Sequence, residues 1–115
     1  MPRDELVFFA DMLAAIEKVQ RYLENITLEE FLEDEMRIDA VVRNLEIIGE
    51  AAGKIPPETR SKCSHIPWKR IVGLRNILIH EYFGIDMDIV WDIIENYLPD
   101  LEVETKRILV DERSG

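Results

Sequence analysis

A single cysteine, five glycines and five prolines stand in 115 residues, and each scarcity excludes something. Cys63 alone closes no intrachain disulfide. Without a companion cysteine or a ligand spacing it reads as a small buried residue with no catalytic or metal role. So few glycines and prolines leave too few turns for many short strands, which favours a few long helices. No apolar run approaches the roughly 18 residues that a membrane span needs. The opening Met1-Pro2-Arg3-Asp4-Glu5 places charge where a secretory leader would have its apolar core. A cytoplasmic chain that spans no membrane is therefore expected. Gly49, Gly53, Gly73 and Gly84 fit no phosphate-binding loop, His65 and His80 are 15 residues apart, and no Glu-x-x-His pair occurs. Neither a metal site nor a cofactor is expected from these residues.

Apolar residues make up 47% of the chain, enough for a core, and the length suits one domain over residues 1–115, with 111–115 expected to fray. Leu6, Phe9, Leu13, Ile16, Gln20 and Leu23 follow the spacing of one helical face and predict a first helix over about 4–23. Thr27 with Glu30 has the form of a capping box and opens a short helix to about Asp34. Ile38, Val41, Val42, Leu45, Ile48 and Ala52 predict a helix over about 36–52. Its Gly49, Ala51 and Ala52 keep the last turns slim, so that another backbone can come close. Gly53 and Pro56-Pro57 stop it. A turn over 58–63 leads to Pro67 and a helix over about 67–82, ended by Gly84. Asp86 or Asp88 caps the next helix, which Pro99 kinks or restarts, with Leu101, Val103, Ile108 and Leu109 extending it weakly. The fold class expected is an all-α bundle of four to five helices.

The net charge of −10 argues against a nucleic-acid partner, but it is unevenly spread. From Arg43 to His80 seven basic residues stand against three acidic ones, a net +4, which leaves −14 for the rest. Within this basic segment the helix over 67–82 carries an apolar stripe of Trp68, Ile71, Leu74 and Leu78. Arg75 and Tyr82 fall inside that stripe, while Asn76 and His80 lie together near Lys69 and Gly73 on another side. A guanidinium on an apolar stripe needs a partner, so Arg75 either forms a buried ion pair, runs outward along its stem, or serves a site. Arg75 and His80 stand about 140° apart on an ideal helix. Either the helix distorts near His80, or a second copy of the chain completes the pair across a two-fold axis. The apolar stripe and the slim segment 49–52 make such a homodimer plausible.

Arg75-Asn76-Ile77-Leu78-Ile79-His80 resembles the Arg-x4-His signature of HEPN domains. The extension through Glu81-Tyr82 gives Arg-x4-His-x-Tyr, the form seen in HepT-like toxins. Ile47-Ile48-Gly49-Glu50-Ala51-Ala52 with Ile55-Pro56, then Ile66-Pro67-Trp68, then Tyr82-Phe83-Gly84-Ile85-Asp86 resemble the same branch. The resemblance implies a HEPN-type bundle with its active site at a homodimer interface, acting as a metal-independent endoribonuclease toxin through attack of the 2′-hydroxyl. It implies Arg75 and His80 as catalytic residues, and Asn76, one turn before His80, is placed to support the imidazole or the phosphate. It also implies a partner, a nucleotidyltransferase antitoxin of the MNT type, that transfers AMP to Tyr82. Lys69, Arg70 and Arg43 are the expected RNA-binding cations. Two other functions fit the same features: a non-catalytic HEPN-like module that only binds a nucleotidyltransferase, and an interaction bundle with Arg75 in a core ion pair.

Overall fold

The computed structural model describes residues 2–114 apart from 81–85, and for residues 76–80 and 113–114 it describes the backbone only. Among the described residues there are seven α-helices, one 3-10 turn and no strand. They are α1 (Arg3–Tyr22), α2 (Leu28–Leu32), α3 (Glu35–Gly53), α4 (Pro57–Arg60), a 3-10 turn (Ser61–Cys63), α5 (Trp68–His80), α6 (Met87–Asn96) and α7 (Leu98–Ser114). The expected all-α bundle is thus present, with α1, α3, α5, α6 and α7 as its long members. None of these helices is long and apolar enough to cross a membrane.

Local signals set the boundaries. Thr27 Oγ1 accepts from the Glu30 amide at 3.2 Å and Glu30 Oε1 accepts from the Thr27 amide at 3.2 Å, the reciprocal box that starts α2. Asp34 caps α3, accepting from the Arg37 amide at 3.0 Å, and Asp86 caps α6, accepting from the Asp88 amide at 2.9 Å. The carbonyls at the end of α3 would be left without partners. Arg60 supplies donors, its Nη2 lying 3.0 Å from Ala52 O and 3.3 Å from Gly53 O. The Arg60 guanidinium also lies over the Trp68 ring, 6.0 Å from its centroid, so one cation ties the end of α3 to the start of α5.

Two expectations about faces are corrected. The buried side of α1 is Glu5, Phe9, Met12, Ala15, Ile16 and Val19: of the predicted face Phe9 and Ile16 are in the core, while Leu6, Leu13, Gln20 and Leu23 are only partly buried at its edge. The reason is that α1 packs against both α3 and α7, so its buried arc centres between two neighbours, and Gln20 needs no place in the core. Glu5, in the first turn, is buried and accepts a hydrogen bond from the Thr59 hydroxyl. The C-terminal segment is more than a weak extension. With Pro99 in its first turn, where a missing N–H costs nothing, α7 runs 17 residues and buries Leu98, Leu101, Thr105 and Ile108.

α3 crosses α5 at very close range. A Cβ placed on Gly49 would stand 2.9 Å from the Arg75 backbone nitrogen, 3.1 Å from Ile71 O and 3.3 Å from Leu74 Cβ. The slim segment of α3 is therefore spent inside the protomer, against α5, and Ala51 and Ala52 are buried beside it. It no longer argues for a homodimer. Gly73 is the opposite case, since a Cβ there would meet nothing within 4 Å. Gly49→Ala should destabilise the fold by about 1–3 kcal/mol, because backbone must move to admit the methyl. Gly73→Ala should stabilise it by about 0.4–1 kcal/mol through reduced freedom of the unfolded chain. Urea unfolding of the two variants checks the opposite signs.

Candidate active site and the cleft beside it

Helix α5 carries the motif, and its backbone is α-helical without interruption from Trp68 to His80. Trp68, Ile71 and Leu74 are buried on its inner side. Trp68 is fixed further by its Nε1, which donates to Cys63 O at 3.1 Å, and by edge-on contact with Phe9 at 6.4 Å between ring centroids. Ile71 and Leu74 fill the inner face where Gly49 presses against the helix.

Arg75 is exposed, and among the described residues it has no ion-pair partner. The buried ion pair of the interaction-bundle alternative is thereby overturned. The physical cause is the closeness of the crossing. Its backbone nitrogen lies against Gly49, where no room for a side chain is left, so the guanidinium leaves the seam for solvent.

Asn76 and His80 lie on the helical backbone of α5, His80 as its last residue, and their side chains are outside the described atoms. Tyr82 lies outside the described residues altogether. The regular helix puts the Cα positions of Arg75 and His80 about 140° apart around the axis, so α5 does not bring them to one side within a protomer.

Lys69 and Arg70 are brought together. With Pro67 and Gly73 they form one wall of an open cleft of about 610 Å³, whose other wall is Ile89, Asp92 and Ile93 of α6. Arg70 is held from behind by Tyr97, donating to its hydroxyl and lying 5.2 Å from its ring centroid. Arg43 is elsewhere. It is exposed on α3, leans on Glu46 at 3.5 Å, and takes no part in lining the cleft. Of the basic segment, Arg60 is engaged with α3 and Lys54 lies over the Phe8 ring, which leaves Lys62 exposed on the 3-10 turn and Lys69, Arg70 and Arg75 as the cations α5 presents outward. The sequence marks the face of α6 that holds Ile89, Ile93 and Tyr97, but neither that this face walls a cleft with α5 nor that Tyr97 grips Arg70.

Away from α5, titratable groups gather where the 3-10 turn meets α7. Glu104 accepts from Arg107 Nη2 at 2.6 Å and lies 3.3 Å from His65 Nε2. The hydrogen bond from Arg107 holds the Glu104 carboxyl below the usual carboxylate range. Burial, then the nearby Glu104 charge, pushes the Cys63 thiol up, which keeps it protonated and unreactive, as expected for a packing residue. Among the described residues no group of three or more potential metal ligands is found.

An all-helical bundle that closes one of its central helices with Arg-x4-His has the architecture of the HEPN class. Within that class the family model described as ribonuclease HepT-like matches residues 12–108, and the chain belongs to this family. It is 46% identical over 91 residues to "Putative RNase TTE0752" of Caldanaerobacter subterraneus subsp. tengcongensis, covering 79% of this chain and 81% of that protein. It is 34% identical over 108 residues to "Probable ribonuclease HepT" of Thermococcus cleftensis, covering 94% of this chain and 98% of that protein. It is 37% identical over 109 residues, 95% of this chain, to "Gamma-glutamylcyclotransferase and putative RNase MJ0434" of Methanocaldococcus jannaschii, and spans only 49% of that relative's length. No solved structure matches the chain significantly.

Because Arg75 is exposed and has no ion-pair partner among the described residues, its removal should leave the fold intact. Arg75→Ala is expected to change unfolding free energy by no more than about 0.5 kcal/mol, the range of ordinary surface substitutions. A circular dichroism melt checks this, and a large loss would show that the side chain holds the bundle together.

Proposed function

We propose that the chain is a metal-independent endoribonuclease, the toxin of a toxin–antitoxin pair, with Arg75 and His80 as its catalytic residues. The observation that supports this most is the exposure of Arg75. A guanidinium set on a helix pinned by its own backbone contact, with no carboxylate partner among the described residues, is ready to hold an anion.

The reaction needs little else from the protein. A base takes the proton of the 2′-hydroxyl, the 2′ oxygen attacks phosphorus, and the P–O5′ bond breaks as the leaving oxygen gains a proton. The products are a 2′,3′-cyclic phosphate and a 5′-hydroxyl. His80 moves protons near neutral pH. Arg75 takes two phosphate oxygens in its fork and balances the charge that builds up on them. Asn76, one turn before His80, supports the imidazole or the phosphate. Lys69 and Arg70 carry the flanking backbone.

The 140° between Arg75 and His80 is met by a homodimer, in which Arg75 of one copy serves the phosphate beside His80 of the other. The unbroken helix up to His80 favours this over a local distortion. Two histidines across the axis could then act as acid and base together.

Purified chain incubated with RNA in the presence of a chelator is expected to leave cyclic-phosphate ends. Arg75→Ala and His80→Ala should each lower the rate by about 10²–10⁴, the usual worth of such groups. Two folded variants that cut like the parent would remove both residues from the mechanism. RNA left intact by the parent would favour a HEPN-like module that binds without cutting.

Control is assigned to Tyr82. A nucleotidyltransferase antitoxin of the MNT type transfers the adenylyl group of ATP to the tyrosine oxygen, with a new P–O bond and release of pyrophosphate. The added phosphodiester carries negative charge and bulk to the segment that follows His80, where it competes with RNA for Arg75. Mass spectrometry after incubation with such an enzyme and ATP should show one or more AMP units on the parent and none on Tyr82→Phe. An unmodified parent in the presence of an active transferase would count against this switch.

A further inference from the structure

Gly73 lies inside α5, where a glycine weakens a helix relative to alanine. Packing does not require it. At Gly49 the backbone of α5 leaves no space for a methyl, whereas at Gly73 a Cβ would meet nothing within 4 Å. The missing side chain opens space in the cleft between α5 and α6. That cleft has Lys69 and Arg70 on one wall, Ile89 and Ile93 on the other, and a volume of about 610 Å³, within the range of small-molecule sites.

We infer that this cleft is a nucleotide subsite of the ribonuclease, holding a residue of the RNA strand near the one that is cut. This rests on the ribonuclease function proposed above and adds to it where the rest of the strand is gripped. A nucleotide combines an anionic phosphate with a flat, largely apolar base, and the two walls offer the matching pair. The phosphate belongs on the α5 side, where Lys69 and Arg70 stand and where Tyr97 keeps the Arg70 guanidinium in place through its ring and hydroxyl. The base belongs on the α6 side against Ile89, which is 50% exposed, and Ile93 beneath it. Asp92 on that wall repels phosphate and accepts from a base N–H, which fixes the direction in which the nucleotide lies.

The cleft also points the right way. On a regular helix the Cα of His80 falls within about 20° of Gly73 around the axis and about 10 Å further along it. A nucleotide at Gly73 and a phosphate at His80 can therefore belong to one continuous strand. Arg75 stands on a different side of α5 and takes no part in this subsite.

The test is binding of a fluorescein-labelled, single-stranded 2′-O-methyl RNA decamer of mixed sequence, which cannot be cleaved, measured by anisotropy on the full chain. Gly73→Leu fills the cleft from a position with open space and is expected to weaken binding at least tenfold. Gly73→Ala should stay within about twofold of the parent. Ile89→Ser, at a half-exposed position that the fold does not depend on, should also weaken binding with no change of charge. Light scattering accompanies each measurement. Parental affinity in Gly73→Leu, with binding by the parent intact, would overturn the subsite and leave the ribonuclease function standing. A parent that binds no RNA would overturn both. Loss of binding that comes with a changed oligomeric mass would make the cleft a contact between protein chains, and would overturn the subsite as well.

Discussion

Gly49 against the backbone of α5 is the contact on which the rest of the molecule depends. Two helices can approach this closely only where one of them has no side chain. A Cβ at 2.9 Å from the Arg75 nitrogen would need backbone, not a flexible side-chain end, to give way. The approach has two results. It fixes the rotation of α5, with Trp68, Ile71 and Leu74 inward and Lys69 and Arg70 on the cleft. It also closes the seam to the Arg75 side chain, so that a residue placed on an apolar stripe by its spacing reaches solvent. Arg60 secures the same arrangement from the end of α4, holding the last carbonyls of α3 while covering Trp68 at the start of α5.

The parts of the fold legible in the sequence were those decided by local chemistry. The reciprocal Thr27–Glu30 box, the Asp86 cap, the stop at Gly53 and the restart of a helix around Pro99 each depend on residues within a few positions of one another. The slim segment 49–52 was legible as a place of close approach, but spacing could not say whether α5 or a second chain would fill it. Burial that depends on two neighbours was not legible. The α1 face is set by α3 and α7 together, and the inward turn of Val19 in place of Gln20 follows from their placement.

The site divides in the same way. Arg75, His80 and Tyr82 were legible as a motif, since their spacing along one segment carries the resemblance. The cleft was not, because its second wall is α6, which comes after the residues that end α5 and reaches Lys69 and Arg70 only through the folded chain. Arg43 is the converse case. Counting it among the binding cations rested on charge along the sequence, and in the fold it stands on α3 beside Glu46, off the cleft.

The distribution of charge ties these observations together. A chain of net charge −10 is a poor surface for RNA as a whole. The segment from Arg43 to His80 is positive, but Arg60 is engaged in holding α3, Lys54 lies over Phe8 and Arg43 leans on Glu46. What reaches outward from α5 is three cations, Lys69, Arg70 and Arg75, against an acidic body. Single-stranded nucleic acid loses affinity with salt at a slope of about −0.7 per phosphate neutralised, so three contacts give a modest dependence, near −2. Few cations on an acidic body provide weak general attraction and strong exclusion everywhere else. For a ribonuclease of this size the acidity is therefore compatible with the proposed reading, in which the strand is held mainly along the one helix that carries Arg75 and His80.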